Sequence, residues 1–288
     1  MRRVKFLALI MIAVIAISSL PVSAAWDRLE NNDDSTSGTS AATSAKYLYS
    51  SIKTKIGDAK KANTDVVGWL TVPGTNMDFP ILYSDTGNDY YEYRDVNGKK
   101  YSGLSSWNYV DTATYMDFRA KLGTGWRNGT SKNIVLYGHN WNNLRDPFVI
   151  GNQSGYSMFA QLPSYTSVDF AKSNPHVYFS TPEMEGIWRV FAVGYCELST
   201  DFFYNNPNPS TEKYKTLLDE WKARSLHNFG VDVDTSDRII TLSTCTRQYG
   251  SSANQRFVVV ARLLRDGETE NDSVTVAANA SVKQPSIS

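Results

Sequence analysis

Two β-branched runs, close together in the chain, most constrain what this protein can fold into. Ile239-Ile240-Thr241-Leu242-Ser243-Thr244-Cys245 is an apolar run that ends in hydroxylated residues and a cysteine, and Arg256, eleven positions later, opens Phe257-Val258-Val259-Val260-Ala261. Runs so rich in Val and Ile, separated by a Gly/Ser/Asn stretch, predict strand, loop, strand. If the strands pair, the cysteine at the end of one lies beside the arginine at the start of the other. A thiol next to a permanent positive charge ionises more readily than a free one.

The compartment decides how that cysteine is read. Met1-Arg2-Arg3-Val4-Lys5 supplies positive charge ahead of an unbroken apolar run from Phe6 to Ile17, the pattern of an export signal over residues 1–25. Val22-Ser23-Ala24 fits a signal peptidase site, whereas the uncharged stretch from Phe6 to Ala25 is 20 residues, one bilayer span, and favours an uncleaved anchor. Either way the positive-inside rule leaves the chain beyond Trp26 outside the cytoplasm. There the two cysteines, Cys196 and Cys245, can persist as a disulfide, or Cys245 can be a free nucleophile. Lys plus Arg and Asp plus Glu are 29 each, so no net field draws the chain to nucleic acid.

Residues 26–43 are polar and small and read as a linker, and residues 44–265 as the folded domain. The domain opens on Leu48, Ile52, Ile56 and Ala59 at helical spacing. From Val66 short runs broken by Pro and Gly replace that period, which predicts a mainly β fold. Lys132 to Tyr137 is a strand closed by Gly138-His139-Asn140, Met158 to Leu162 suggests a short helix, and His176 to Phe179 is a strand. In the long strand Ile187 to Leu198, strict alternation places Trp188, Val190, Ala192, Gly194, Cys196 and Leu198 on one face, so Cys196 reads as a core residue. Ser210 is a helix N-cap ahead of the stripe Tyr214, Leu217, Leu218 and Trp221. Residues 266–288 turn polar and read as a frayed tail.

Among the three histidines, His176 and His227 sit at element boundaries and read as structural. His139 leaves an apolar strand in a tight loop, where scaffolds carry function. No metal-ligand spacing and no phosphate-binding Gly-rich loop occurs in the sequence, so no cofactor is expected. A thiol, an imidazole and a guanidinium remain. Cys245 as nucleophile, His139 as acid and base and Arg256 as oxyanion partner would support acyl transfer through a thioester.

These segments resemble those of a class B sortase, from about Asn63 to Leu264. Thr241-Leu242-Ser243-Thr244-Cys245 with Arg256 is similar to that family's cysteine and arginine signature, and Leu136-Tyr137-Gly138-His139-Asn140 to its histidine segment. Gly68-Trp69-Leu70, Met158-Phe159 and the helix from Ser210 to Leu226 agree. The resemblance implies an eight-stranded β-barrel with an N-terminal helical extension and an added helix before the cysteine strand. It also implies a membrane-bound transpeptidase of Gram-positive cell envelopes, with no cofactor. Cys245 would attack the threonyl carbonyl of a C-terminal sorting signal, His139 would protonate the leaving amine, and Arg256 would steady the oxyanion. A peptidoglycan amine or pilin lysine would then resolve the thioester, with Ser243 and Thr244 as weaker substrate contacts. Two departures stand out: the Ser102-Gly103-Leu104 region suggests a longer loop, and Arg247 stands where some relatives carry a carboxylate two positions after the cysteine. The alternatives are a hydrolytic cysteine peptidase on the same residues and a non-catalytic surface module stapled by Cys196 and Cys245.

Overall fold

The computed structural model describes residues 48–101 and 112–287. The export segment, the polar linker and Ser102-Gly103-Leu104 lie outside them, and no helix among the described residues is long and apolar enough to cross a membrane. The chain enters through helix α1 (Tyr49–Ala62), whose Ile52, Ile56 and Ala59 are buried against Val66, Trp69, Leu82 and Tyr91. Lys60 and Lys61 in its last turn suit the negative end of the helix dipole. Leu48 keeps the phase of the stripe but is 56% exposed, because the helix starts after it.

Eight strands close a barrel, and a short one, β7 (His227–Asn228), stands apart from it. The barrel strands are β1 (Val66–Thr71), β2 (Asp78–Leu82), β3 (Thr114–Met116), β4 (Asn133–Tyr137), β5 (His176–Ser180), β6 (Ile187–Glu197), β8 (Ile239–Cys245) and β9 (Gln255–Leu263). Their order around the barrel is β1-β2-β3-β4-β8-β9-β6-β5, with β5 returning to β1. The β2·β3 and β4·β8 pairs are parallel and the other pairs antiparallel. Between β2 and β3 lies a short helix, α2 (Asp89–Glu92). The expected helix at Met158 to Leu162 is instead a turn running into a 3-10 helix at Leu162–Thr166, followed by α3 (Val168–Ser173).

The barrel interior holds Leu70, Ile81, Leu136, Phe159, Phe179, Trp188, Ile240, Leu242, Phe257 and Val259. A second apolar layer lies outside β6, β8 and β9 beneath helix α4 (Thr211–Arg224): Phe191, Ala192, Cys196, Ile239, Val258 and Val260 meet Tyr214, Leu217, Leu218 and Trp221. Ser210 caps this helix as expected, its hydroxyl accepting from the Lys213 N–H. Strict alternation in β6 fails at a bulge between Val190 and Ala192. The extra residue turns Val193 and Tyr195 inward after Trp188 and Val190, so Ala192 and Cys196 belong to the outer layer instead of sharing the face of Trp188. Gly194 is where α4 ends on β6: a Cβ there would lie 2.7 Å from the Arg224 carbonyl oxygen.

Residues 266–287, expected to fray, lie along the domain. Val276 is buried in the barrel cluster with Val274 packed beside it. Strand β10 (Ala277–Ala278) pairs with β7, and the Asn279 N–H donates to the Leu226 carbonyl. Too few apolar residues occur here for a strand signal, and the backbone pairing holds the segment instead.

Candidate active site

The barrel order places β4, β8 and β9 side by side, and their registers assemble the site. In the parallel β4·β8 pair Asn133 faces Ile239 and Tyr137 faces Ser243, a frame that carries His139, two residues beyond Tyr137, to the level of Cys245. The Gly138 N–H extends the ladder to the Ser243 carbonyl. On the other side the antiparallel β8·β9 pair sets Cys245 directly opposite Arg256, the juxtaposition that the two β-branched runs predict. One strand further, Arg256 faces Cys196 on β6.

That row also decides the disulfide question. Cys245 and Cys196 flank the same arginine from two strands away, a separation of about 9.5 Å at ordinary strand spacing, beyond the roughly 7 Å a disulfide can bridge. Both thiols are free; Cys196 is buried and Cys245 partly exposed. Burial, the largest influence, pushes the Cys196 thiol far up and leaves it inert.

His139 is held on three sides. Its Nε2 lies 2.7 Å from the Glu92 carbonyl oxygen at the end of α2; a carbonyl only accepts, so Nε2 carries the hydrogen. Nδ1 is then the nitrogen that can take the thiol proton. The Trp141 ring stacks on the imidazole at 4.8 Å and 21°, and the Phe159 N–H donates to the His139 carbonyl at 3.0 Å. Gly138 lets this happen: a Cβ there would lie 2.7 Å from the Phe159 ring.

The electrostatics make the pair reactive. Burial opposes ionisation of Cys245 and is the largest influence, yet its hydrogen bond with His139 and the positive charges of Arg256, His139 and Arg247 outweigh it and hold the thiol below its ordinary range. Burial likewise disfavours the His139 imidazolium. The bonds with Cys245 and the Glu92 carbonyl, with the nearby negative charges, outweigh that and raise it above the usual imidazole value. The two shifts together favour a thiolate beside an imidazolium. The Arg256 guanidinium donates Nη1 to the carbonyls of Ala253 at 2.7 Å and Gln255 at 2.9 Å, which ties it to the loop between β8 and β9.

Ser243 and Thr244 are buried, at 2% and 1% exposure. The Thr244 hydroxyl donates to the Gly138 carbonyl at 2.7 Å and the Ser243 hydroxyl lies 3.4 Å from that of Tyr204. Their hydroxyls are thus spent within the protein, and Thr244 ties the cysteine strand to the histidine strand. Asn140 repeats the tie one step out, donating Nδ2 to the carbonyls of Cys245 at 3.2 Å and Asn143 at 2.6 Å. Asn140 is visible in sequence as the neighbour of His139 without a role, whereas the Glu92 contact is made by a main-chain carbonyl and leaves no side-chain signature.

A family model described as the sortase domain matches residues 70–264. Sortase B of Listeria monocytogenes serovar 1/2a (strain ATCC BAA-679 / EGD-e) is 33% identical over 196 residues, which cover 67% of this chain and 68% of that protein. A Staphylococcus aureus sortase B–substrate complex superposes with a TM-score of 0.59 at 26% identity, covering 75% of this chain and 87% of that one. A sortase B complexed with triglycine superposes with a TM-score of 0.58 at 27% identity, covering 75% of this chain and 88% of that one.

Proposed function

The chain belongs to the sortase family as a class B cysteine transpeptidase, and we propose that it cleaves a C-terminal sorting signal after threonine and joins the protein to a cell-envelope amine through Cys245, His139 and Arg256. The observation that carries the assignment of residues is the row formed by β4, β8 and β9, in which a thiol of lowered pKa lies between an imidazole and a guanidinium.

In the first half-reaction the Cys245 thiolate adds to the threonyl carbonyl carbon and its electrons move onto the oxygen. Arg256 stabilises that oxyanion with its guanidinium, which the Ala253 and Gln255 carbonyls hold in place by Nη1. Collapse breaks the C–N bond, and the imidazolium gives the Nδ1 proton to the departing amine, which leaves a thioester and a neutral His139. In the second half the acceptor amine attacks the thioester, His139 takes its proton back, and the thiolate departs. The Glu92 carbonyl keeps Nε2 protonated throughout, so one nitrogen does all the proton transfer. Ser243 and Thr244 support this geometry from behind the reacting face. The S. aureus relative has been captured with a substrate and a sortase B with triglycine, which supports both a peptide donor and an amine acceptor here. The export signal would hold the domain on the outer side of the membrane, where a sorting signal and a peptidoglycan amine or pilin lysine meet.

The test is mass analysis of enzyme incubated with a panel of sorting-signal peptides. Wild type forms an acyl adduct on Cys245 that added amine diverts to a transfer product. Cys245→Ala and His139→Ala each abolish cleavage while keeping the native circular dichroism spectrum. Cleavage retained in either variant sinks the assignment, and hydrolysis unaffected by amine makes the enzyme a peptidase.

A further inference from the structure

The C-terminal segment leads from the far end of the barrel back to the catalytic loop. After β10, Asn279 donates Nδ2 to the Ser225 carbonyl at 2.8 Å, the Lys283 N–H donates to Ala223, and Lys283 Nζ pairs with Glu220 at 2.6 Å. The segment thus follows α4 backward. It ends at two loops of the active-site end: the Thr200 hydroxyl donates to the Ser286 carbonyl at 3.0 Å, and the Tyr249 hydroxyl donates to Gln284 Oε1 at 2.9 Å. All of it lies beyond the sortase domain match, which ends at residue 264.

Tyr249 sits in the loop that joins Cys245 to Arg256. Its ring meets Tyr195 of β6 edge-on at 5.3 Å, and its N–H donates to Gln255 Oε1 at 2.9 Å, the residue before the arginine. Gln255 is 1% exposed and returns a bond from Nε2 to the Gly250 carbonyl at 3.2 Å. The loop in turn holds Arg256 through the Ala253 carbonyl. The opposite flank is tied to the histidine side, where the Thr246 hydroxyl and the Arg247 N–H both donate to the Leu144 carbonyl and Gln248 exchanges two bonds with Asp146. One side of the loop is therefore fastened by the histidine loop and the other by Tyr195 and the C-terminal segment.

We propose that Tyr249 and Gln284 are positioning residues: the C-terminal segment is a strap that fixes the loop leading into Arg256, and through it the presentation of that arginine to the reacting carbonyl. The proposal rests on the transpeptidase reading for its chemical consequence, though not for the mechanical one. A hydroxyl-to-amide bond outside the reacting atoms should matter for acylation by peptide, which needs Arg256 at the oxyanion, and not for alkylation by iodoacetamide at high pH, where the thiolate is formed whatever the arginine does.

The experiment compares the full-length wild type with Tyr249→Phe, Lys283→Ala/Gln284→Ala, and Gln284→Glu, which keeps an acceptor oxygen. The first two are expected to slow single-turnover acylation roughly three- to ten-fold, the span one hydrogen bond is worth. They should also speed amide hydrogen exchange over residues 247–251, while the limiting rate of alkylation at high pH holds and Gln284→Glu stays near wild type. Wild-type acylation and exchange in Tyr249→Phe overturn the proposal. So does parallel loss of acylation, alkylation and thermal stability, which marks general destabilisation. If wild type itself forms no acyl adduct, the transpeptidase reading fails and the exchange measurement alone decides the strap.

Discussion

Gly138→Ala probes how the barrel interior sets the position of the His139 imidazole. The added Cβ would lie 2.7, 2.9 and 3.0 Å from Cγ, Cδ2 and Cδ1 of Phe159, where carbon atoms ordinarily stay about 3.5–4.0 Å apart. One of the two groups must move by about 1 Å. Phe159 is fully buried in the barrel cluster and packs on Phe79, so the ring has nowhere to retreat without strain. Overpacking of this kind costs about 1–3 kcal/mol, less than the margin of a typical domain, and the variant folds. Activity suffers more than stability. Phe159 and His139 are joined through the N–H to carbonyl bond, so displacing the ring displaces the backbone of the histidine. A misplacement near 1 Å lowers turnover about 100-fold. Urea denaturation with an unchanged m-value gives the first quantity and single-turnover acylation the second. Trimming the ring in Gly138→Ala/Phe159→Leu should recover part of the activity, a coupling of the kind expected between touching residues. A Gly138→Ala enzyme with wild-type turnover, whatever its stability, refutes the claim that this contact places His139.

Because the His139 bond and three positive charges hold the Cys245 thiol down against burial, its alkylation should persist at pH values below the ordinary thiol range; His139→Ala should move the midpoint upward, which a pH series with iodoacetamide measures. One thiol should react in the native protein and two after unfolding in guanidinium, because Cys196 is buried and Cys245 is not; zero native thiols without reductant would restore the disulfide. At the opposite end of the barrel, Arg189 Nε donates to His176 Nε2 at 3.2 Å, and burial and that arginine press the imidazole down to about 4. The unfolded chain then binds a proton that the folded one refuses, so stability is full above the unfolded value near 6.5 and falls by about 3 kcal/mol as pH drops toward 4. His176→Gln, which keeps an acceptor for Arg189, should flatten denaturation midpoints in that window, and an equal slope in both proteins defeats the assignment.

The strands that meet at Cys245 differ in how plainly they can be read from the chain. The β8·β9 pair is written locally, two β-branched runs joined by one short loop, and alternation carries Cys245 onto Arg256 without further information. His139 is marked only by its exit from a strand, because its neighbour β8 is a parallel partner reached only after β5, β6 and α4, and no local pattern states that pairing. The mainly β class follows from punctuated short runs and the barrel only from the family resemblance, whereas the bulge at Val190 to Ala192 inserts a residue without changing composition, so a strict period of two put Cys196 with Trp188. Ser243 and Thr244 look like loop hydroxyls at a strand end, but in the fold they are shielded by Tyr204 and the Gly138 carbonyl. The C-terminal segment misleads for the opposite reason: its polar composition conceals Val276, and it is attached by strand pairing and by polar side-chain bonds to distant residues, neither of which composition reports.

The parallel alignment of β4 with β8 bears on when the thiol meets its imidazole in the life of the polypeptide. The bond from Thr244 to Gly138 closes a contact 106 residues apart, and a parallel pair has no hairpin to nucleate it. Loop-closure entropy makes such contacts late events in folding. The β8·β9 hairpin, by contrast, can form early and brings the thiol only an arginine. Until β4 docks, Cys245 lacks its imidazole and stays near the reactivity of a thiol with one cationic neighbour. An incompletely folded chain therefore carries an ordinary thiol, and it is the closing of the barrel that completes the thiol–imidazole pair.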